Sequence, residues 1–236
     1  MRRSVFVFLM FSIVICVFLL VFQNIGVEQA LSTTQESQYI FNDEGLEDKS
    51  KLQVNEILLP MENSEFRTSP ITHVMIHYMS NALEKPEDPY RMEDIYKLFL
   101  QNGVSTHYVI DRDGNFYRLV SAERVAYHAG SGSLDAFPSY EDKMNHFSIG
   151  IELLAIGTRE EMAPIITEEK YDSVHSSNIG FTDAQYRSLK ELLTDIDKRH
   201  PNIHWNRKHI IGHNEYAPER KADPGKLFDW EKLNLK

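Results

Sequence analysis

Residues 106–120, THYVIDRDGNFYRLV, decide the fold class. Two runs rich in β-branched and aromatic residues flank Asp113-Gly114, a pair suited to the left-handed backbone of a tight turn, so this stretch predicts a β-hairpin. Upstream, residues 71–79 (ITHVMIHYM) have the length and apolar content of a buried strand, and residues 148–156 (SIGIELLAI) repeat the pattern downstream. Met92, Ile95, Tyr96 and Phe99 recur at helical spacing over residues 91–101. A long loop is expected over 121–147 and an irregular insertion over 157–181. A second helix starts at Thr182, where Thr182 and Gln185 make a capping box. Its apolar stripe is Tyr186, Leu189, Leu192, Leu193 and Ile196. Residues 208–212 form a last strand before a polar loop. Strands interleaved with helices predict an α/β fold, a single domain with a central mixed β-sheet flanked by helices.

Composition fits that reading. The chain has 236 residues, 42% hydrophobic and 25% charged, enough for one domain with its own core. Its formal net charge is −10, and without Arg2 and Arg3 the remainder stands at −12. A surface that acidic repels a phosphate backbone, so nucleic-acid binding is excluded as a function class.

The N-terminus indicates export. Residues 4–22, SVFVFLMFSIVICVFLLVF, are 19 almost uninterrupted apolar positions, and only Arg2 and Arg3 precede them. At 1.5 Å per residue such a helix spans roughly 28 Å, close to a bilayer's hydrocarbon thickness. The positive-inside rule leaves Met1 in the cytoplasm and sends the rest across. Residues 1–23 are thus expected to be a signal anchor that ties the chain to a membrane, or a signal peptide that is cleaved to leave a secreted domain. Residues 24–64 read as an acidic polar tether, although Val54, Ile57, Leu58 and Leu59 could dock on the domain that follows. Residues 65–236 are the expected folded domain, a monomer. Cys16, the single cysteine, lies in the apolar segment, so the exported part can form no disulfide.

The chemistry rests on the ten histidines and their carboxylate neighbours. His77 ends one predicted strand, His213 follows another, and Asp223 lies in the loop GHNEYAPERKADPG at 212–225. Strand ends lying side by side bring such residues together, and two imidazoles with one carboxylate make a zinc set with a fourth position open. HIIGH at 209–213 is not the H-E-x-x-H helix of metalloproteases. Asp111-x-Asp113-Gly114-Asn115 lacks the spacing and distal glutamate of a calcium loop and reads as the hairpin turn. His73 shares the strand face of His77 by period two, as a polar strand start or a partner behind a ligand.

Five blocks occur in one order: VMIHY at 74–78, STHYVIDRDGNFYRLV at 105–120, YHAG at 127–130, NHFSIGIEL at 145–153 and the 212–225 loop. Together they resemble the zinc-dependent N-acetylmuramoyl-L-alanine amidases of the type 2 family, which includes the peptidoglycan recognition proteins. The resemblance implies Zn2+ held by His77, His213 and Asp223, with Glu152 as general base and Lys221 helping to hold the oxyanion. Alternation along its strand puts Glu152 on the face of Gly150, which was expected to leave room for substrate. His128 and Asn145 match substrate-groove positions of the family, as glycopeptide contacts or as residues that fix the loop. His107 reads as a structural residue or a substrate contact in the groove, rather than a metal ligand. Thr106 stands where some family members carry a catalytic tyrosine, which shifts proton transfer onto Glu152. The implied activity is hydrolysis of the amide between N-acetylmuramic acid and L-alanine in peptidoglycan or muropeptides. The alternatives are a non-catalytic peptidoglycan sensor and a zinc peptidase or amidase of the same fold that cuts a different bond.

Overall fold

The hairpin forms where the sequence places it, and its turn is organised by one carboxylate. Asp111 Oδ1 accepts from the backbone N–H of Asp113 and Asn115 at 3.0 and 2.8 Å, and Oδ2 accepts from Asn115 Nδ2 and the Tyr117 hydroxyl. Gly114 takes φ +89°, and a side chain there would meet Ser188 Oγ at 2.5 Å, so both conformation and packing require glycine. The Asp111 carboxylate is spent on the turn.

The computed structural model describes residues 52–235; the apolar segment 4–22 and the tether up to residue 51 lie outside the described residues. Eight strands occur in chain order: β1 Val54–Glu56, β2 Ser64–Phe66, β3 His73–Met79, β4 Tyr108–Ile110, β5 Phe116–Arg118, β6 Arg124–Ala126, β7 Ser148–Leu154 and β8 Ile210–Gly212. The helices are α1 Met92–Asn102, α2 Met144–Phe147, α3 Arg159–Met162, α4 Glu168–Ser173, α5 Asp183–Arg199 and α6 His213–Tyr216. Six strands make one sheet in the order β1-β5-β4-β7-β3-β8, and β2 pairs with β6 in a second. The sheet is mixed as expected: β7 lies parallel to both β3 and β4, β3 parallel to β8, and β4 antiparallel to β5. Among the described residues no helix is long and apolar enough to cross a membrane.

One face of the sheet is closed by α5. Its predicted stripe packs on Val74, Ile76, Tyr108, Ile110, Ile149, Ile151 and Leu153, all buried. Gln185 makes the predicted capping box with Thr182 and is fully buried. Its Nε2 donates to Ile110 O and Leu154 O at 3.3 and 3.0 Å, tying the helix start to two strand ends. By alternation, the opposite face presents Met75 and His77 on β3, Val109 on β4 and Gly150 and Glu152 on β7. Met75 packs there with Ala129, Met144, Ile211, Tyr216 and Ala217 as the floor beneath the site.

Two expectations need correction. The end of the acidic tether belongs to the domain: β1 pairs with β5, and Ile57 N and Leu59 N donate to Arg118 O and Leu119 O at 3.1 and 2.8 Å. The edge of β5 offers unpaired backbone groups, and burial of Ile57 and Leu59 offsets the cost of ordering this segment. The insertion 157–181 is also ordered. It carries α3, capped by Thr158 and Glu161, and α4, capped by Thr167. Met162, Ile166 and Val174 close a small core there with Ala82 and Ile156.

Candidate active site

The register of the sheet assembles the site. Val109 pairs with Glu152, Glu152 with His77, and Ile76 with Gly212, so His213 follows directly beside His77. The loop after α6 returns Asp223 to this row, where its backbone carbonyl accepts from Asn214 N at 2.8 Å.

His77 Nδ1 lies 2.7 Å and His213 Nδ1 3.1 Å from the same oxygen, Asp223 Oδ2. One ligand atom from each of the three lies within 4.8 Å of the others. The far nitrogen of His213, Nε2, sits 2.8 Å from Ala129 O. A carbonyl can only accept, so Nε2 carries the proton and Nδ1 directs a lone pair at the cluster. Burial lowers the His77 pKa to about 4, so this imidazole is neutral at pH 7. Burial alone would raise the Asp223 carboxyl, but the neighbouring His213 and His77 hold it well below the usual range. Neutral imidazole and ionised carboxylate are the protonation states that bind a divalent transition metal. The donor set therefore fits a metal ion, and among the described residues it is the only such cluster.

Glu152 lies beside this cluster with Oε2 enclosed and without a hydrogen-bond partner. Burial pushes its pKa well above the ordinary value; the charge of Asp223 adds to this and that of Lys221 opposes it. An unpaired buried carboxylate facing a cleft is poised to exchange a proton with a bound reactant. Lys221 is exposed, and its backbone N–H donates to Ala217 O at 3.0 Å.

The residues expected in the groove divide differently. His107 is fully buried: its Nδ1 accepts from Gly150 N at 3.0 Å and its Nε2 lies 3.1 Å from Arg124 O. Both ring nitrogens are engaged within the protein, so His107 is a structural residue and does not line the groove. Asn145 is part-exposed, and its Oδ1 accepts from His128 N and Ala129 N at 3.0 and 2.7 Å. His128 is part-exposed, with its ring nitrogens 3.1 Å from His77 Nε2 and 3.2 Å from Ser148 Oγ. The space beside Gly150 is occupied by the His128 ring, which a side chain there would meet at 2.6 Å. Thr106 is fully buried. His73 is fully buried four residues before His77 on β3 and stacks on His209 at 5.1 Å, away from the cluster.

Three residues escaped the sequence reading. Ser148 shares the Gly150 and Glu152 face, a position that period two would have revealed. Arg67 donates to the carbonyls of Ala122, Arg124, His146 and Ser148, a role with no local sequence signature. Glu161 caps α3, and its Oε1 accepts from Lys226 N at 2.7 Å, bracing the loop that holds Asp223. The T-x-x-E pattern at 158–161 was the available signal.

Residues 67–226 match the Amidase_2 family, N-acetylmuramoyl-L-alanine amidase. The chain belongs to the type 2 amidase family. It is 34% identical over 155 residues to the 1,6-anhydro-N-acetylmuramyl-L-alanine amidase AmpD of Haemophilus influenzae, covering 66% of this chain and 70% of that protein. A selenomethionine AmpD crystal structure superposes with a TM-score of 0.52 at 25% identity, covering 75% of this chain and 90% of that one. The amidase AmiD from E. coli, in complex with the substrate anhydro-N-acetylmuramic acid-L-Ala-D-gamma-Glu-L-Lys, superposes at 0.50 with 26% identity. That match covers 72% of this chain and 59% of AmiD, so the type 2 amidase fold is shared while a large part of AmiD has no counterpart in it.

Proposed function

We propose that this chain is a zinc enzyme that hydrolyses the amide between the lactyl group of N-acetylmuramic acid and L-alanine in peptidoglycan or its muropeptide fragments. The observation that carries the proposal is the convergence of His77, His213 and Asp223 beside the unpartnered Glu152 carboxylate. Family membership supports the bond, and the muropeptide substrate of AmiD supports the substrate class.

His77, His213 and Asp223 would hold zinc. When bound, it supplies a Lewis acid for the scissile carbonyl and lowers the pKa of water to about 7. Glu152 accepts the proton of the attacking water on its free oxygen and returns it to the departing L-alanine amine, so the carboxylate is regenerated within one turnover. Lys221 places an ammonium at the cleft, where it opposes the negative charge that develops on the carbonyl oxygen. Residues 4–22 would keep the enzyme on the outer face of a bacterial membrane, as a permanent anchor or until cleavage. A chain at −10 overall gains no electrostatic retention on an anionic wall.

The test is mass spectrometry of purified muropeptides incubated with the protein, with and without a chelator. Chelator-sensitive release of a stem peptide with a free N-terminal alanine is the expected result. Binding without cleavage, cleavage at another bond, or full activity in chelator would overturn the reading. For the anchor, replacing residues 1–23 with a cleavable export signal should release the protein from cells, and unchanged retention would refute it.

A further inference from the structure

We propose that His128 and Ala129 form the outer cradle of the metal centre, and that His128 is a positioning residue that fixes which nitrogen of His77 faces the metal. The inference rests on the metal-centre reading above and departs from the substrate-contact role implied for His128 by resemblance.

The proton positions follow along a chain that starts at a backbone carbonyl. Ser148 Oγ lies 2.6 Å from Met144 O, which can only accept, so the single hydroxyl proton of Ser148 points there. The Ser148 oxygen is left to accept, and at 3.2 Å it takes the proton on His128 Nε2. A neutral His128 then has a bare Nδ1, 3.1 Å from His77 Nε2. With its Nδ1 given to a metal, His77 would carry its proton on Nε2 and donate it to His128. Both Nδ1 lone pairs, of His77 and of His213, would then serve the ion beside Asp223 Oδ2, which lies 2.7 and 3.1 Å from them. Met144 O, Ser148, His128 and His77 thus form a one-way relay that sets a ligand tautomer.

The second imidazole ligand is served from the adjacent residue, since Ala129 O accepts from His213 Nε2 at 2.8 Å. One dipeptide therefore supplies the rear acceptor for both histidines. Its position is set by Asn145, whose Oδ1 takes the N–H of both residues, and by Arg220, which donates to Ala129 O. Gly150 completes the arrangement, because only the missing side chain lets the His128 ring lie against β7. Acceptors behind metal-bound histidines fix ring orientation and tautomer, and their loss typically weakens metal binding by about 10–100-fold.

The test uses the full-length protein in mild detergent, with zinc affinity measured by chelator competition. His128→Leu keeps apolar bulk but removes the acceptor; His128→Asn keeps an amide oxygen close to the Nδ1 position. Zinc should bind about 10–100-fold more weakly to the leucine variant, and the asparagine variant should recover most of the loss. In zinc-bound wild type, two-bond 1H–15N correlations of labelled histidine should place the His77 proton on Nε2, a readout that needs neither variant to fold. Wild-type zinc affinity in His128→Leu, equal weakening in both variants, or an Nδ1-protonated His77 would each overturn the proposal. Wild type that binds no zinc would remove the metal-centre reading itself and this proposal with it.

Discussion

Gly150→Ala separates two uses of the same space. If the room beside Gly150 served the substrate, a methyl group there would raise KM and leave the free protein's stability unchanged. The structure gives that room to the His128 ring. Gly150 sits within β7 in ordinary extended backbone, so alanine meets no conformational penalty and gains from a less flexible unfolded chain. The cost is steric. A Cβ would lie 2.6 Å from His128 Cγ and 2.8 Å from Cδ2 and Nδ1, where ordinary contact begins near 3.4 Å, so the ring must retreat by about 0.8 Å. Its two ring hydrogen bonds are already 3.1 and 3.2 Å long, and a retreat of that size takes at least one of them out of bonding range.

Overpacking of this kind costs about 1–3 kcal/mol and a lost hydrogen bond about 1 kcal/mol, partly offset by up to about 1 kcal/mol from the glycine replacement. A net loss of about 1–4 kcal/mol lowers Tm by about 2–16 °C for a domain of this size. The assay is thermal unfolding without metal, with Gly103→Ala as comparison. Gly103 has φ +61° and nothing within 4 Å, so alanine there carries only the left-handed penalty of about 1 kcal/mol. Gly150→Ala protein that melts within a degree of wild type while KM alone rises would refute the reasoning and return the space to the substrate.

Other perturbations read the remaining parts of the site. Asp223→Ala should abolish zinc retention and turnover together, whereas Glu152→Gln should retain zinc and lose about 100-fold or more in kcat, checked by metal analysis beside kinetics. A metal-free, active Asp223→Ala protein would sink the ligand assignment. Glu161→Ala removes an α3 cap and the acceptor of Lys226 N, and should cost about 1–3 kcal/mol in urea unfolding. Acid should destabilise the fold through buried histidines. Burial first, with the charge of Arg67 second, lowers His107 to about 3, and burial with His209 lowers His73 to about 4. The unfolded chain binds these protons near pH 6.5 and the native state does not. The stability that neutral burial confers is complete above 6.5 and is lost as pH falls toward 4 and 3, by up to about 1.4 kcal/mol per pH unit for each group. Equal urea midpoints at pH 7 and pH 5 would contradict this.

What was legible in the sequence is what local periodicity or turn chemistry controls. The Asp113-Gly114 hairpin, the Thr182 capping box and the α5 stripe are each decided within a few residues, and each stands where it was expected. Edge strand β1 was not legible as a strand because its three residues have no pattern of their own; pairing is imposed by the open edge of β5. The three residues of the cluster were picked out through ordered blocks of sequence, since 136 positions of chain separate His77 from His213 and nothing local links them. The roles of the outer residues were not legible for a related reason. A loop histidine such as His128 faces a groove or a neighbouring side chain according to tertiary contacts alone, and composition is the same in both cases.

Strand β7 shows how much of the site one periodic element can carry. Ser148, Gly150 and Glu152 occupy successive positions on one face: the first anchors the His128 proton, the second admits the His128 ring, and the third places a carboxylate beside His77. Ile149, Ile151 and Leu153 on the other face are fully buried against the α5 side of the core. A slip of one residue in the pairing with β3 would bury the carboxylate in that core and turn the isoleucines into the cleft, at a cost no local contact could offset. The same apolar burial that stabilises the sheet therefore fixes the distance between the His77, His213 and Asp223 cluster and the Glu152 carboxylate, and the precision of the site is inherited from the core.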